Sequence, residues 1–176
     1  MFRLHERLRM AAGAMVANGF FHGAAAAGRL HPMARPRRHR VEVIRDVRYQ
    51  EGTSRAHLLD IYRPTTPPAD GRGHPIVLYI HGGAFRMLSK DTHWLMGLAF
   101  ARRGYLVFNI NYRLAPNHPY PAAIRDACAA WCWVVENCAR YGGDPSRIVV
   151  AGACLLHAVG TSNVLKRRFQ VRFAIW

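Results

Sequence analysis

"HPIVLYIHGGAF", residues 74–85, decides how the rest of the chain is read. Ile76 to Ile80 is an unbroken apolar run of β-branched and aromatic residues. A half-exposed strand would alternate apolar with polar positions, so an unbroken run points to a strand covered on both faces, as in a parallel sheet. The run ends at His81-Gly82-Gly83-Ala84, where the glycines free the backbone to turn sharply. The residues alone leave two readings of that turn: a plain strand-to-helix connection, or a loop that brings backbone N–H groups close to a ligand.

Outward from this stretch the elements alternate. Asp91 or Thr92 is placed to cap a helix reaching about Arg103, with Trp94, Leu95, Leu98 and Ala99 on one face. Gly104 stops it, and "YLVFNINY" (105–112) reads as the next strand. Pro121 is expected at the first position of a second helix. There Ile124, Cys128, Trp131, Val135 and Cys138 recur at spacings of four, three, four and three, the repeat of one helical face. Gly142-Gly143 ends that helix, and Ile148–Ala151 is a further short strand. Upstream, "VEVIRDVRY" (41–49) has only partial period-2 order and reads as an edge strand; "HLLDIYRP" (57–64) is a strand stopped by Pro64. Strand, helix, strand, helix, strand predicts an α/β fold: three αβα layers around a mostly parallel sheet, with ligand sites at the carboxyl ends of the strands.

The chain has 176 residues, 51% of them hydrophobic, enough to bury a core. Its net charge is +15, and the excess sits at the ends: residues 1–48 carry a net of +7, and residues 153–176 hold four Lys/Arg and no acid. This divides the chain into a basic, helical N-terminal extension (1–40), a core (41–152) and a divergent basic tail (153–176). Basic ends suit an anionic membrane surface or nucleic acid; no nucleic-acid motif accompanies them, and nucleic acid is not the expected partner. "AAGAMVANGFFHGAAAAG" (11–28) is weakly apolar and interrupted by Asn18 and His22. It reads as a poor signal peptide, as a helix on the domain, or as a helix on a membrane surface. The four cysteines form no C-x-x-C pair and fit a reducing, cytoplasmic setting; no metal site or cofactor is expected.

"LDIYRP", "HPIVLYIHGGAF", "ARRGYLVFNINYRLAPNHPYPAAIRDA" and "YGGDPSRIVVAG" together resemble the α/β-hydrolases of the hormone-sensitive-lipase-like carboxylesterase family, over about residues 41–152. The resemblance implies an α/β-hydrolase fold and hydrolysis of small acyl esters by a serine in a G-x-S-x-G elbow, a histidine base and an orienting acid. It implies that the N–H groups of Gly83 and Ala84 hold the developing oxyanion. It makes His81 and Gly82 structural parts of that loop, His81 an anchor and not the base. Ala84 stands where many relatives have a third glycine.

The pattern breaks after Gly152. Where the family would have Asp-Ser-Ala-Gly-Gly, this chain has Ala153-Cys154-Leu155-Leu156-His157. Cys154 occupies the nucleophile slot, but Leu156 replaces a glycine that leaves the elbow its room, and His157 follows too closely to act as the family's base. A buried or idle cysteine is the expectation. The remaining 24 residues contain no Asp or Glu and one His, so the expectation is a partial fold, truncated after about the fifth strand and inactive or nearly so. "RFQVRFAI" within the tail alternates as a strand does, either taking the next place in the sheet or lying exposed. An incomplete sheet leaves an edge through which the chain is expected to self-associate, giving a non-catalytic interaction role as the alternative.

Overall fold

A computed structural model of the chain describes residues 2–68, 70–152 and 172–175, with side chains described over residues 12–68 and 70–152. Among the described residues, six strands form one sheet. They are β1 (Val41–Arg48), β2 (Leu58–Pro64), β3 (His74–Ile80), β4 (Leu106–Ile110), β5 (Gly143–Gly152) and β6 (Arg172–Ile175), in the spatial order β1-β2-β4-β3-β5-β6. β1 is the expected edge strand, antiparallel to β2, which is antiparallel to β4; the β4-β3, β3-β5 and β5-β6 pairs are all parallel. The sheet therefore runs one strand past the expected fifth, because the tail takes the next place beside β5.

Among the described residues, three α-helices accompany the sheet: α1 (Phe2–Leu30), α2 (Trp94–Ala101) and α3 (Ala122–Asn137). From β3 the chain crosses through α2 to β4 on one side; from β4 it crosses back through α3 to β5 on the other. Right-handed crossovers in opposite directions put their helices on opposite faces, which makes the three layers. The strands split their side chains accordingly. Ile76, Leu78, Ile80, Leu106, Phe108 and Ile110 pack with Ala127, Ala130, Trp131 and Val134 of α3. Val77, Tyr79 and Val107 pack with Trp94, Leu98 and Ala101 of α2.

Both helices differ in detail from their sequence patterns. α2 begins after Asp91 and Thr92, with His93 at its N-cap and no side-chain cap bond. Thr92 is engaged instead by the preceding turn, its Oγ1 accepting from the Ser89 N–H at 3.1 Å. Leu95 is exposed and the buried face is Trp94, Gly97, Leu98 and Ala101. Gly97 is needed there because a Cβ would stand 2.5 Å from the Tyr62 ring. On α3 the buried positions are Ala123, Asp126, Ala127, Ala130, Trp131 and Val134, whereas Ile124, Cys128 and Val135 are only partly buried. Small side chains let the helix lie close to the sheet, and the bulkier ones flank the contact. Asp126 on this face is matched from outside the helix. The Arg113 guanidinium grips its carboxylate at 2.7 and 2.9 Å, and the Arg113 backbone N–H adds a bond of 2.9 Å.

α1 lies on the α2 side of the sheet. The Trp94 indole N–H donates to the Ala25 carbonyl at 3.1 Å, and the Arg29 guanidinium donates to the Asp91 side chain at 3.3 Å. One face of this helix therefore lies on the domain. No described helix is long and apolar enough to cross a membrane.

Candidate functional site

The loop after β3 is built around a buried imidazole. His81 is 1% exposed, and its Nδ1 donates to the Gly82 carbonyl at 2.7 Å. Its ring stacks on Tyr112, centroids 4.3 Å apart, and the Tyr112 hydroxyl donates to the His81 carbonyl at 2.8 Å. Burial pushes the imidazole down to about 4, so the ring is neutral at neutral pH. These contacts fix the start of the loop to the end of β4.

Gly83 then makes a turn open only to glycine. Its φ is 121°, and a Cβ there would stand 2.0 Å from the Met87 carbonyl oxygen. The Gly83 carbonyl accepts from the N–H groups of Arg86 and Met87, at 2.9 and 3.1 Å. Ala84, Phe85 and Leu88 are also left-handed, with φ of 51°, 62° and 73°. Three non-glycine residues in that region within five positions are uncommon, and they concentrate strain in this loop. Among the described residues, the N–H groups of Gly83 and Ala84 have no hydrogen-bond partner.

The far side of the loop is held by residues that the sequence reading did not single out. The Asn18 side-chain oxygen accepts from the Leu88 N–H at 3.0 Å, and His22 Nε2 lies 3.1 Å from Ser89 Oγ, so α1 clamps the loop at two adjacent residues. Lys90 is buried. Its ammonium sits 2.8 Å from both Asp60 of β2 and Asp46 of β1, and its backbone bonds to the side chains of Asn111 and Asn109 at 2.7 and 2.9 Å. Asp46 reaches Lys90 because a bulge breaks the β1–β2 register between Ile44 and Val47, leaving Asp46 at φ 55°. The Lys90 bond holds the Asp46 carboxyl below its ordinary range. Asn18 and His22, four residues apart, share one helical face; that spacing was the available signal, and read as interruptions of an apolar stretch it pointed nowhere. A lone lysine between polar neighbours carries no comparable signal of burial.

Outside the loop, His81, Ser89, Asn111, Tyr112 and Arg113 border an open cleft of about 270 Å³. One strand away, Gly152 closes β5 in register with Ile80. A Cβ on Gly152 would stand 2.1 Å from the Ile80 carbonyl oxygen, so this strand end has no room for a side chain. The structure thus brings His81, Gly82, Gly83 and Ala84 together at the carboxyl end of the sheet, next to Gly152. Cys154 lies outside the described residues.

This arrangement, a left-handed glycine loop after one parallel strand and a glycine-ended neighbour beside it, belongs to a fold of the three-layer α/β class. The family model for the alpha/beta hydrolase fold matches residues 77–160, running eight residues past Gly152. The chain is 45% identical over 114 residues to Carboxylesterase NlhH and 50% identical over 93 residues to Esterase LipI, both of Mycobacterium tuberculosis. Those matches cover 63% and 52% of this chain but 36% and 29% of the relatives, so the chain spans about a third of their length. Among solved structures, esterase LipW of Mycobacterium marinum is 34% identical with a TM-score of 0.55, covering 85% of this chain and 42% of that one. Esterase B of Lactobacillus rhamnosis, solved with a tributyrin phosphonate inhibitor, superposes at a TM-score of 0.67 and 20% identity, covering 90% and 58%, and supports the fold alone. The chain carries part of the α/β-hydrolase fold, and the sequences it resembles over that part are carboxylesterases and esterases.

Proposed function

We propose that residues 41–152 are the oxyanion-binding portion of a carboxylic-ester hydrolase, and that this chain by itself turns over acyl esters barely or not at all. The observation that carries the first half is the loop at 81–84. It offers two N–H groups, from Gly83 and Ala84, that are unpartnered among the described residues, on a backbone held by His81, Tyr112 and Lys90. Donors fixed before the reaction stabilise developing charge without reorganising, which is how such loops speed acyl transfer. His81 is the anchor of this loop, because its Nδ1 is committed to Gly82 and its ring is stacked under Tyr112. The ligand is a small-molecule acyl ester, as the names of the relatives suggest for them. The second half rests on the residues after Gly152, where the sequence has Ala153-Cys154-Leu155-Leu156 in place of a serine elbow and a leucine at the position of one of its glycines. On this reading residues 1–40 are an extension clamped onto the core, and 153–176 a basic tail whose residues 172–175 join the sheet beside β5.

Two assays test the reading. Purified chain with a short p-nitrophenyl ester is expected to release nitrophenol at the buffer rate; clear turnover lost in Cys154→Ala overturns the inactivity. For the cradle, residues 41–152 replace the matching part of a full-length esterase relative. The chimera is expected to keep kcat within roughly 10²-fold of its parent, the loss of about one oxyanion donor. A folded chimera without esterase activity overturns the assignment of Gly83 and Ala84.

A further inference from the structure

The face of α1 turned away from the domain has an unusual composition. No residue from Met10 to Gly28 is Asp, Glu, Lys or Arg. Asn18, His22, Ala25 and Arg29 bond to the core or to the helix. The opposite stripe, Val16, Phe20, Gly23, Ala27 and Leu30, follows helical spacing and is exposed throughout. Val16 is 75% exposed, Phe20 69% and Leu30 83%, with Met15 beside them at 73%. An outward helical face in water ordinarily carries the charges, so this face is inverted.

The charges stand just beyond its end. Arg35, Arg37, Arg38 and Arg40 are exposed, and none forms an ion pair among the described residues. Arg3, Arg7 and Arg9 precede the apolar stretch in the sequence, against the single acid Glu6. An apolar stripe with unpaired arginines beyond its C-terminal end, and further arginines preceding it in the sequence, fits a surface that is apolar inside and anionic at its rim. A second copy of this chain fits it poorly, because stacking two such faces brings the arginine groups against each other.

We propose that α1 docks this protein onto anionic lipid surfaces, lying in the plane of the interface with Val16, Phe20 and Leu30 among the acyl chains and Arg35, Arg37, Arg38 and Arg40 on the headgroups. The clamp of Asn18 and His22 on the loop then sets the hydrolase frame at the bilayer surface, with the helix as spacer.

The test is sedimentation of the full chain with vesicles of phosphatidylcholine, with and without phosphatidylglycerol. Expected is binding to the mixed vesicles only, weakened at least tenfold by the double variant Val16→Asp, Phe20→Asp and weakened separately by Arg37→Gln with Arg38→Gln. Both variants change exposed side chains, and circular dichroism checks that they fold. A Phe20→Trp variant gives a second readout, a blue-shifted emission on binding that brominated lipid quenches. Three results overturn the proposal: vesicle binding unchanged by the aspartates, which makes it bulk charge; an indole emission from the Phe20→Trp variant that does not move; or a concentration-dependent dimer that the aspartates dissolve, which makes a second copy the occupant.

Discussion

His81 carries the loop at 81–84, and its burial has a price in acid. Its ordinary pKa of 6.5 falls to about 4 in the folded chain. Below pH 6.5 the unfolded chain takes up a proton there that the native chain refuses, so stability declines as pH falls from 6.5 towards 4. The drop amounts to about 3 kcal/mol, an order-of-magnitude figure from the linkage of 1.36 kcal/mol per pKa unit. His93, also pushed down by burial, adds in the same direction. Asp46 and Asp144 are shifted below their ordinary 3.8, so their contribution is present above that value and is lost only in stronger acid. Urea midpoints measured between about pH 7 and 4 are expected to fall, and His81→Gln to flatten much of that slope. Gly83 is the second residue on which the loop depends. Gly83→Ala drives a Cβ into the Met87 carbonyl, and the expected loss is about 2 kcal/mol or more in a denaturant titration, since backbone and not a flexible side chain must yield.

Among the elements, α3 shows where a sequence pattern misleads. Spacing alone selected Ile124, Cys128, Trp131, Val135 and Cys138, of which Trp131 and Cys138 are buried in the structure. Apolar periodicity weights bulk, whereas a helix lying close to a sheet is chosen for its small residues, and alanines on both sides of a helix leave its orientation open. Ala130 is 0% exposed against that sheet. Ala130→Leu is expected to lower stability by about 2 kcal/mol through overpacking, while Cys132→Leu, on the exposed side, is expected to change the urea midpoint little. The strands were more legible than the helices, because a central strand such as Ile76–Ile80 is apolar on both faces and has no rotation to choose. The start of α2 was not legible, because Thr92 is satisfied by a turn bond to Ser89 that only the folded loop creates.

Over the whole molecule, the candidate loop was legible only through the family resemblance, and its supports were not legible at all. One strand and two glycines by themselves left His81-Gly82-Gly83-Ala84 open between a plain turn and a ligand loop. The groups that hold that loop come from residues far apart in sequence, Asn18 and His22 on α1, Asp46 on the bulge of β1 and Asp60 on β2. Side chains separated by 30 or more residues leave no local trace of their partnership. Buried Lys90 is where two of these supports, Asp46 and Asp60, meet, and it has a consequence for covalent chemistry. The chain holds 23 arginines and only two lysines, Lys90 and Lys166. With the Lys90 amine 3% accessible and gripped by two carboxylates, acylating reagents that need a free amine have almost no purchase on it while the fold is closed. Acetylation of Lys90, read by peptide mass spectrometry after a timed pulse of N-hydroxysuccinimide acetate, is expected to track urea-induced opening. Ready acetylation in native buffer would mean that the lysine spends its time in solvent.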